Sequence, residues 1–316
     1  MNGGARRIDG SGLSGISHLV VEVSDGERAL NFYKAVLGLD ARPLEGWPVA
    51  GETAVPLPSK QILVFRAAAA NEAEKETGIH QAYRCTAQAR AAIAERLAAE
   101  GIPVHRYHED RPAEADDPFY FADPDGNRIQ LVSGPGEDGG IAAIDHAAIQ
   151  ASDMEWEEDF FVGQLNFTVD HRVGWNTADY VRARAWAEGK EEMAPGTRRM
   201  DHRYRDIPGA EPGRGREVAR PNIQIFLDLG EGALGIFLAT AHRQEPPPER
   251  ACGTPRTAIA IDRAAIDGWA ETLAGLGVAV EGPVVHDGRS PLAASVYFRD
   301  PCGNFFEFCA PAARGI

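Results

Sequence analysis

Four histidine- or arginine-headed runs and two polar acceptors carry the chemistry that can be read from this chain. The runs begin at His18, His80, His146 and Arg256, and each is a short apolar stretch that ends in Ser, Thr or Asp. The acceptors are Gln130 and Glu307. Each lies just beyond an Asp-Pro-x-Gly-Asn phrase, Asp123–Asn127 in one case and Asp300–Asn304 in the other. An imidazole can ligate a metal or carry a proton. A guanidinium does neither at usable pH, but it pairs well with a carboxylate. The same phrase therefore occurs twice with different chemistry at the same offset, amide in one copy and carboxylate in the other.

A repeat of this kind sets the architecture. Each headed run has strand composition, and its Ser, Thr or Asp end is a helix N-cap signal. Helical patterns follow over about 26–37, 87–100, 153–165 and 263–275, and Ile93, Leu97 and Ile102 mark the apolar face of the second. The chain reads as four copies of strand, helix and further strands, grouped in two pairs.

Residues 1–14 are rich in Gly and Ser and read as a flexible arm. The first pair spans 15–135 and the second 141–312. The Gly- and Pro-rich stretch from Ser133 to Gly140 marks the join, with 136–140 as linker. The second pair is longer because of an insertion at 187–221, which contains Arg198, Arg199, His202 and Arg203. It reads either as a solvated surface excursion or as a lid over a site.

The formal net charge of −15 argues against nucleic acid and anionic membranes as partners. An apolar content of 44% and a charged content of 25% are those of a globular protein. No apolar run approaches the ~20 residues of a membrane span, and no secretory h-region follows Met1. Cys85, Cys252, Cys302 and Cys309 show no paired spacing, so free thiols and a cytoplasmic location are expected. The expected partner is a small-molecule substrate, and the expected state a monomer or homodimer.

The fourfold strand–helix–strand pattern with two Asp-Pro-x-Gly-Asn turns resembles the vicinal oxygen chelate superfamily, which includes glyoxalase I, bleomycin and fosfomycin resistance proteins and extradiol dioxygenases. The resemblance covers nearly all of the chain outside the arm and the insertion. It implies an α+β fold of four βαβββ modules paired into two cupped mixed sheets, with one divalent metal ion (Fe, Mn, Zn or Ni) in a cup. The family's ligand positions fall on His18, His80 and Gln130 in the first half and on His146, Arg256 and Glu307 in the second. The first set suits a metal. In the second, Arg256 stands at a ligand position and reads as an ion-pair partner of Glu307 that replaces the metal with a fixed cation. The family's fourth ligand position falls near Ile62 or Leu63; both are apolar, so no fourth ligand is evident there unless Gln61 reaches inward.

Modules in this superfamily pair within a half or by exchange. Exchange would place His146 with His80 and Gln130, and His18 with Arg256 and Glu307. His108 and Tyr120 are the candidate acid–base residues, and Tyr297 and His286 hold comparable places in the second half. Trp47, Tyr83, Trp175, Tyr180 and Trp186 read as core or as stacking surfaces, and His105, His171, His202 and His242 match no ligand position. The implied function is metal-dependent chemistry on a small substrate with adjacent oxygens, as a lyase or isomerase or as a ring-cleaving dioxygenase. The alternative is metal-independent small-molecule binding of the bleomycin-resistance kind.

Overall fold

The computed structural model describes residues 12–40, 42–67, 79–106, 117–136, 139–151, 154–173, 224–238 and 251–312. His108, the 187–221 insertion, Trp175, Tyr180, Trp186, His202 and His242 lie outside them. The first module holds β1 (Leu13–Val23), α1 (Gly26–Ala35), β2 (Glu52–Pro56) and β3 (Ile62–Ala67). The second holds β4 (His80–Cys85), α2 (Ala87–Ala99), β5 (His105–Arg106), β6 (Phe119–Ala122) and β7 (Arg128–Ser133). The third holds β8 (Ala143–Ala151), α3 (Met154–Glu158), which continues as a wider turn over Asp159–Gln164, β9 (Thr168–Val173), β10 (Gln224–Asp228) and β11 (Ala233–Leu238). The fourth holds β12 (Arg256–Ile261), α4 (Ile266–Gly275), β13 (Val280–Val285), β14 (Leu292–Arg299) and β15 (Phe305–Pro311).

The caps are those the sequence signals. Asp25 accepts from the amides of Glu27 and Arg28, Thr86 from Ala89, and Asp262 from Ala264. No helix among the described residues is long and apolar enough to cross a membrane, and all four cysteines are free.

Two mixed sheets result, and the modules are exchanged between them. One sheet runs β13-β14-β15-β12-β1-β3-β2, so it joins the first and fourth modules. The other runs β5-β6-β7-β4-β8-β11-β10-β9, joining the second and third. Residues 15–135 and 141–312 are therefore halves of the sequence that each contribute one module to each sheet. The physical reason lies in the first strands. β1 forms an antiparallel ladder with β12, from Leu13 opposite Ile261 to Val20 opposite Arg256, and β4 does the same with β8. These ladders lengthen β1 and β8 upstream, so His18 and His146 sit inside their strands, while His80 and Arg256 open theirs.

Alternation along the strands sends one face to a core and the other to a cup. Leu19, Val21 and Val23 of β1 join Tyr33, Phe65, Tyr83, Ile149, Ile236 and Phe308 in a single apolar core built from all four modules. His18 and Val20 take the opposite face.

The repeated turn phrase ties the two sheets together. Asp123 Oδ1 accepts from the amides of Asp125 and Asn127 at 2.9 and 2.8 Å. Asp300 Oδ1 accepts from the Asn304 amide at 2.7 Å. Gly126 and Gly303 take φ of 84° and 85°, the left-handed region that glycine enters without penalty. The asparagines then reach across. Asn127 Nδ2 donates to the Glu22 carbonyl of β1, and Asn304 Nδ2 to the Gln150 carbonyl of β8, each at 2.8 Å. Each clamp joins a turn of one sheet to the first strand of the other. Asn304 is buried, and truncating it strands a buried carbonyl. Asn304→Ala should lower the unfolding free energy in urea by about 1–3 kcal/mol, and an unchanged denaturation midpoint would show the clamp to be dispensable.

Candidate functional site

The exchange decides which residues meet. His18 does not share a cup with His80 and Gln130; it stands with Arg256 and Glu307, while His80 and Gln130 share the other sheet with His146. In the first sheet, His18 and Glu307 both neighbour Ala258 in the ladder. In the second, His146 and Gln130 both neighbour Ala82. Both alanines are fully buried, and their small side chains leave open the space over which the flanking residues face one another.

The hairpins add a pair that sequence reasoning missed. Glu52 lies opposite Arg66, four residues before the Pro56–Ile62 pair, and Ile62 neighbours His18. Gln224 lies opposite Phe237, four residues before the Asp228–Ala233 pair, and Ala233 neighbours His146. Glu52 and Gln224 thus occupy the same position in the two sheets. Extending the internal repeat through the hairpins would have aligned them. Gln61, the polar residue expected nearest the fourth ligand position, instead serves the backbone. Its Oε1 accepts from the Ile144 amide at 2.7 Å and its Nε2 donates to the Ile144 carbonyl at 3.2 Å.

The first cup is ionic. Arg256 is buried. Its Nε donates to Glu307 Oε2 at 2.9 Å, and its Nη2 to both oxygens of Glu52 at 3.1 and 3.3 Å. Its Nη1 donates to the Gly253 carbonyl at 3.1 Å and to Cys252 Sγ at 3.6 Å. All five guanidinium N–H groups are engaged. Glu307 Oε2 also accepts from His18 Nε2 at 3.1 Å, and its Oε1 from Ser295 Oγ at 2.6 Å. His286 Nε2 lies 2.8 Å from Ser295 Oγ. Trp47 Nε1 donates to Glu52 at 2.9 Å while its ring meets His18 edge-on at 5.0 Å, so this aromatic belongs to the cup. Tyr83 belongs to the core.

Burial alone would push the Glu307 carboxyl up. The charge and hydrogen bond of His18, the charge of Arg256 and the Ser295 hydroxyl outweigh it and bring it down to about 2. Burial works against the charged Arg256 too, yet Glu307 and Glu52 raise its pKa above the usual arginine value. His18, Glu307 and Cys309 bring potential ligand atoms within 4.8 Å of one another. The set suits a metal poorly. Arg256 already supplies the neighbouring positive charge.

The second cup is built from imidazoles, amides and aromatic rings. His80 Nε2 and His146 Nε2 face each other at 3.1 Å. His146 Nδ1 lies 2.8 Å from Asp145 Oδ2, and in the neutral tautomer that donates there Nε2 carries the lone pair. Burial raises the Asp145 carboxyl, but the His146 hydrogen bond and charge, with Arg84, outweigh it and lower it overall. Phe237 and Tyr120 meet His80 edge-on at 5.2 and 5.6 Å, and Phe226 meets His146 at 5.4 Å. Tyr120 neighbours Gln130 on the same face, with the Arg128 guanidinium 4.6 Å over its ring. His171 stacks on Phe226 at 4.4 Å on the exposed side. His105 sits opposite Tyr120 on the short strand β5. A cleft of about 260 Å³ also opens between the sheets. Its lining includes Glu22, His80, Arg128, Arg256 and the two Asn turns, so it borders both cups and is centred in neither.

The sequence model of the Glyoxalase/Bleomycin resistance protein/Dioxygenase superfamily matches residues 15–131 and 143–308. Among solved structures, the fold is similar to a provisionally assigned dioxygenase of Bacillus subtilis subsp. subtilis str. 168, at 16% identity and a TM-score of 0.61, covering 95% of this chain and 86% of that one. It is also similar to glyoxalase I of Zea mays, at 14% identity and a TM-score of 0.54, covering 94% and 92%. At these identities the likeness speaks to the fold alone. No curated protein matches the sequence.

The ionic network of the first cup has two measurable consequences. Arg256→Met leaves Glu52 and Glu307 buried without their cation and should cost about 3–5 kcal/mol. Adding Glu52→Gln and Glu307→Gln should restore most of that loss in thermal melts; equal melting of the single and triple variants would refute the network. The second consequence is acid lability. Glu307 has a depressed folded pKa, so its contribution is present above about 4.5 and is lost as pH falls towards 2. That loss is on the order of 3 kcal/mol. Asp123, raised to about 6 by burial, acts oppositely and in a higher window, its contribution fading as pH rises from 3.8 through 6. Urea titrations from pH 7 to 2.5 should therefore show a steep acid limb that Glu307→Gln flattens.

Proposed function

Because the chain belongs to the glyoxalase, bleomycin resistance protein and dioxygenase superfamily, we propose that its second cup is a metal-dependent centre acting on a small substrate with adjacent oxygen atoms. The observation that carries this reading is the approach of His80 and His146. Two ligand nitrogens on bonds of about 2.1 Å stand roughly 3.0 Å apart at a right angle and about 3.4 Å apart at the tetrahedral angle. The observed 3.1 Å falls between. The Asp145 carboxylate behind His146 is the partner that fixes the tautomer and ring direction of a ligating histidine.

The ion would be held by His80 and His146, with the amide oxygens of Gln130 and Gln224 as further donors. Bound there, a divalent ion supplies Lewis-acid stabilisation of negative charge on the substrate's oxygens. The donors of the cup are all neutral, so they offset none of that positive charge, and they favour a substrate that turns anionic as it reacts. Phe226, Phe237 and Tyr120 fix the imidazole rings edge-on and limit water. Proton movement is assigned to Tyr120, supported by its ring lying edge-on to His80 at 5.6 Å, with His108, outside the described residues, as the second candidate.

Two imidazoles with two amides depart from the two-histidine, one-carboxylate site of non-haem iron oxygenases. The reaction favoured is accordingly redox-neutral, of the lyase or isomerase kind, with ring cleavage as the runner-up. One observation supports the metal-independent binding alternative: His80 Nε2–H can donate to His146 Nε2 across the same 3.1 Å.

Elemental analysis should find a divalent metal in wild-type protein that His80→Ala and His146→Ala remove and His18→Ala retains. Ala82→Leu, which fills the space between Gln130 and His146, should remove it as well. Apoprotein reconstituted with Fe(II), Mn(II), Zn(II) or Ni(II) would then be assayed on catechols and on 2-oxo hemithioacetals with an oxygen electrode. Oxygen-independent turnover with Zn(II) or Ni(II) is the expected result. Oxygen uptake confined to Fe(II) or Mn(II) would establish the dioxygenase instead. Tight ligand binding by metal-free protein, with no turnover, would sink the enzyme reading.

A further inference from the structure

The first cup fails the test for a metal, and the way it fails has a pattern. Superposing the two sheets by ladder register places Arg256 on His80, Glu52 on Gln224, Glu307 on Gln130 and His18 on His146. Three of the four positions differ, and they differ together: where one cup has a guanidinium and two carboxylates, the other has an imidazole and two amides. A single unmatched exchange would leave a buried charge without a partner, which is costly. The matched set avoids this in both cups.

We propose that Arg256 is a built-in replacement for the metal ion in the first cup, bridging Glu52 and Glu307 so that this cup is closed to divalent cations. Three observations support it. The guanidinium touches both carboxylates, at 2.9 Å to Glu307 and 3.1 and 3.3 Å to Glu52. Its remaining N–H groups are held by Gly253 and Cys252, so none is left for a ligand. Glu52 is held further by Trp47 and Arg66, at 2.9 and 3.4 Å, and Glu307 by His18 and Ser295, at 3.1 and 2.6 Å, so both carboxylates are fixed by protein groups.

The same superposition says what would open the cup. At the position of Arg256 the second sheet carries His80, whose Nε2 comes to 3.1 Å from the imidazole equivalent to His18. Arg256→His should therefore place a second imidazole against His18 and free two carboxylates, giving two nitrogen and two carboxylate donors around one point. Such a set is a stronger divalent site than one with neutral oxygens.

The test is metal stoichiometry after dialysis against Zn(II) or Co(II), with circular dichroism as the check on folding. Arg256→His should bind one more equivalent per chain than wild type. The gain should survive His80→Ala/His146→Ala and disappear with His18→Ala or Glu307→Gln. A folded Arg256→His protein with no added equivalent would overturn the proposal. So would wild-type metal that Glu307→Gln removes. If Arg256→His does not fold, the reciprocal transplant decides. His80→Arg/Gln130→Glu/Gln224→Glu should close the second cup, abolishing its metal while keeping a cooperative melt, and retained metal would count against the idea. Wild-type protein with no metal at all would defeat the reading of the second cup, yet Arg256→His would still gain its one equivalent.

Discussion

Two antiparallel ladders, β1 against β12 and β4 against β8, hold the rest of the structure in place. A βαβββ module alone leaves its first strand as an open edge, with unpaired amides and carbonyls. Pairing first strand with first strand removes that edge in both sheets at once. It also sets the cups, because a functional residue on each first strand is carried to its partner across a single alanine, Ala258 or Ala82. The Asn127 and Asn304 clamps then fix one sheet against the other. The turn phrase recurs because Asp, Gly and Asn each have a separate task in it: ordering the turn, taking positive φ, and reaching across.

The two cups show one backbone solving a single electrostatic problem in two ways. Several polar groups point at one buried place, and their charges must sum to something the interior tolerates. In the first cup a covalently attached cation balances two carboxylates. In the second the carboxylates are replaced by amides and the cation by an imidazole, so the cup itself is neutral. The first arrangement is self-sufficient and rigid. In the second, two imidazoles face each other at 3.1 Å among aromatic rings. This division of labour is why the functional reading rests on His80 and His146 and not on the better-connected residues around Arg256.

Much of this was legible in the sequence. The repeat, the four helices and the caps at Asp25, Thr86 and Asp262 are local features, written in short-range spacing. His80 with Gln130, and Arg256 with Glu307, could be paired because each pair lies within one module. Two things could not be read. The choice between pairing within a half and pairing by exchange depends on which first strands meet, and both choices satisfy the same local pattern. Glu52 and Gln224 were hidden because hairpin register, not composition, brings them to the cup. The apolar identity of Ile62 and Leu63 drew attention to β3, when the polar partner lay on β2.

Exchange also has a consequence for how the chain is made. The second and third modules are contiguous, so that sheet can close as soon as residue 238 has left the ribosome. The other sheet joins β1 to the strands of the fourth module, and its central contact, His18 to Glu307, spans 289 residues. β1 must wait, with its edge unsatisfied, through the synthesis of nearly everything else. Contacts of such separation form slowly and leave intermediates exposed to misassembly. The ion pairs around Arg256 are thus among the last native interactions to form, and a nascent chain stalled before β12 has one finished cup and half of another.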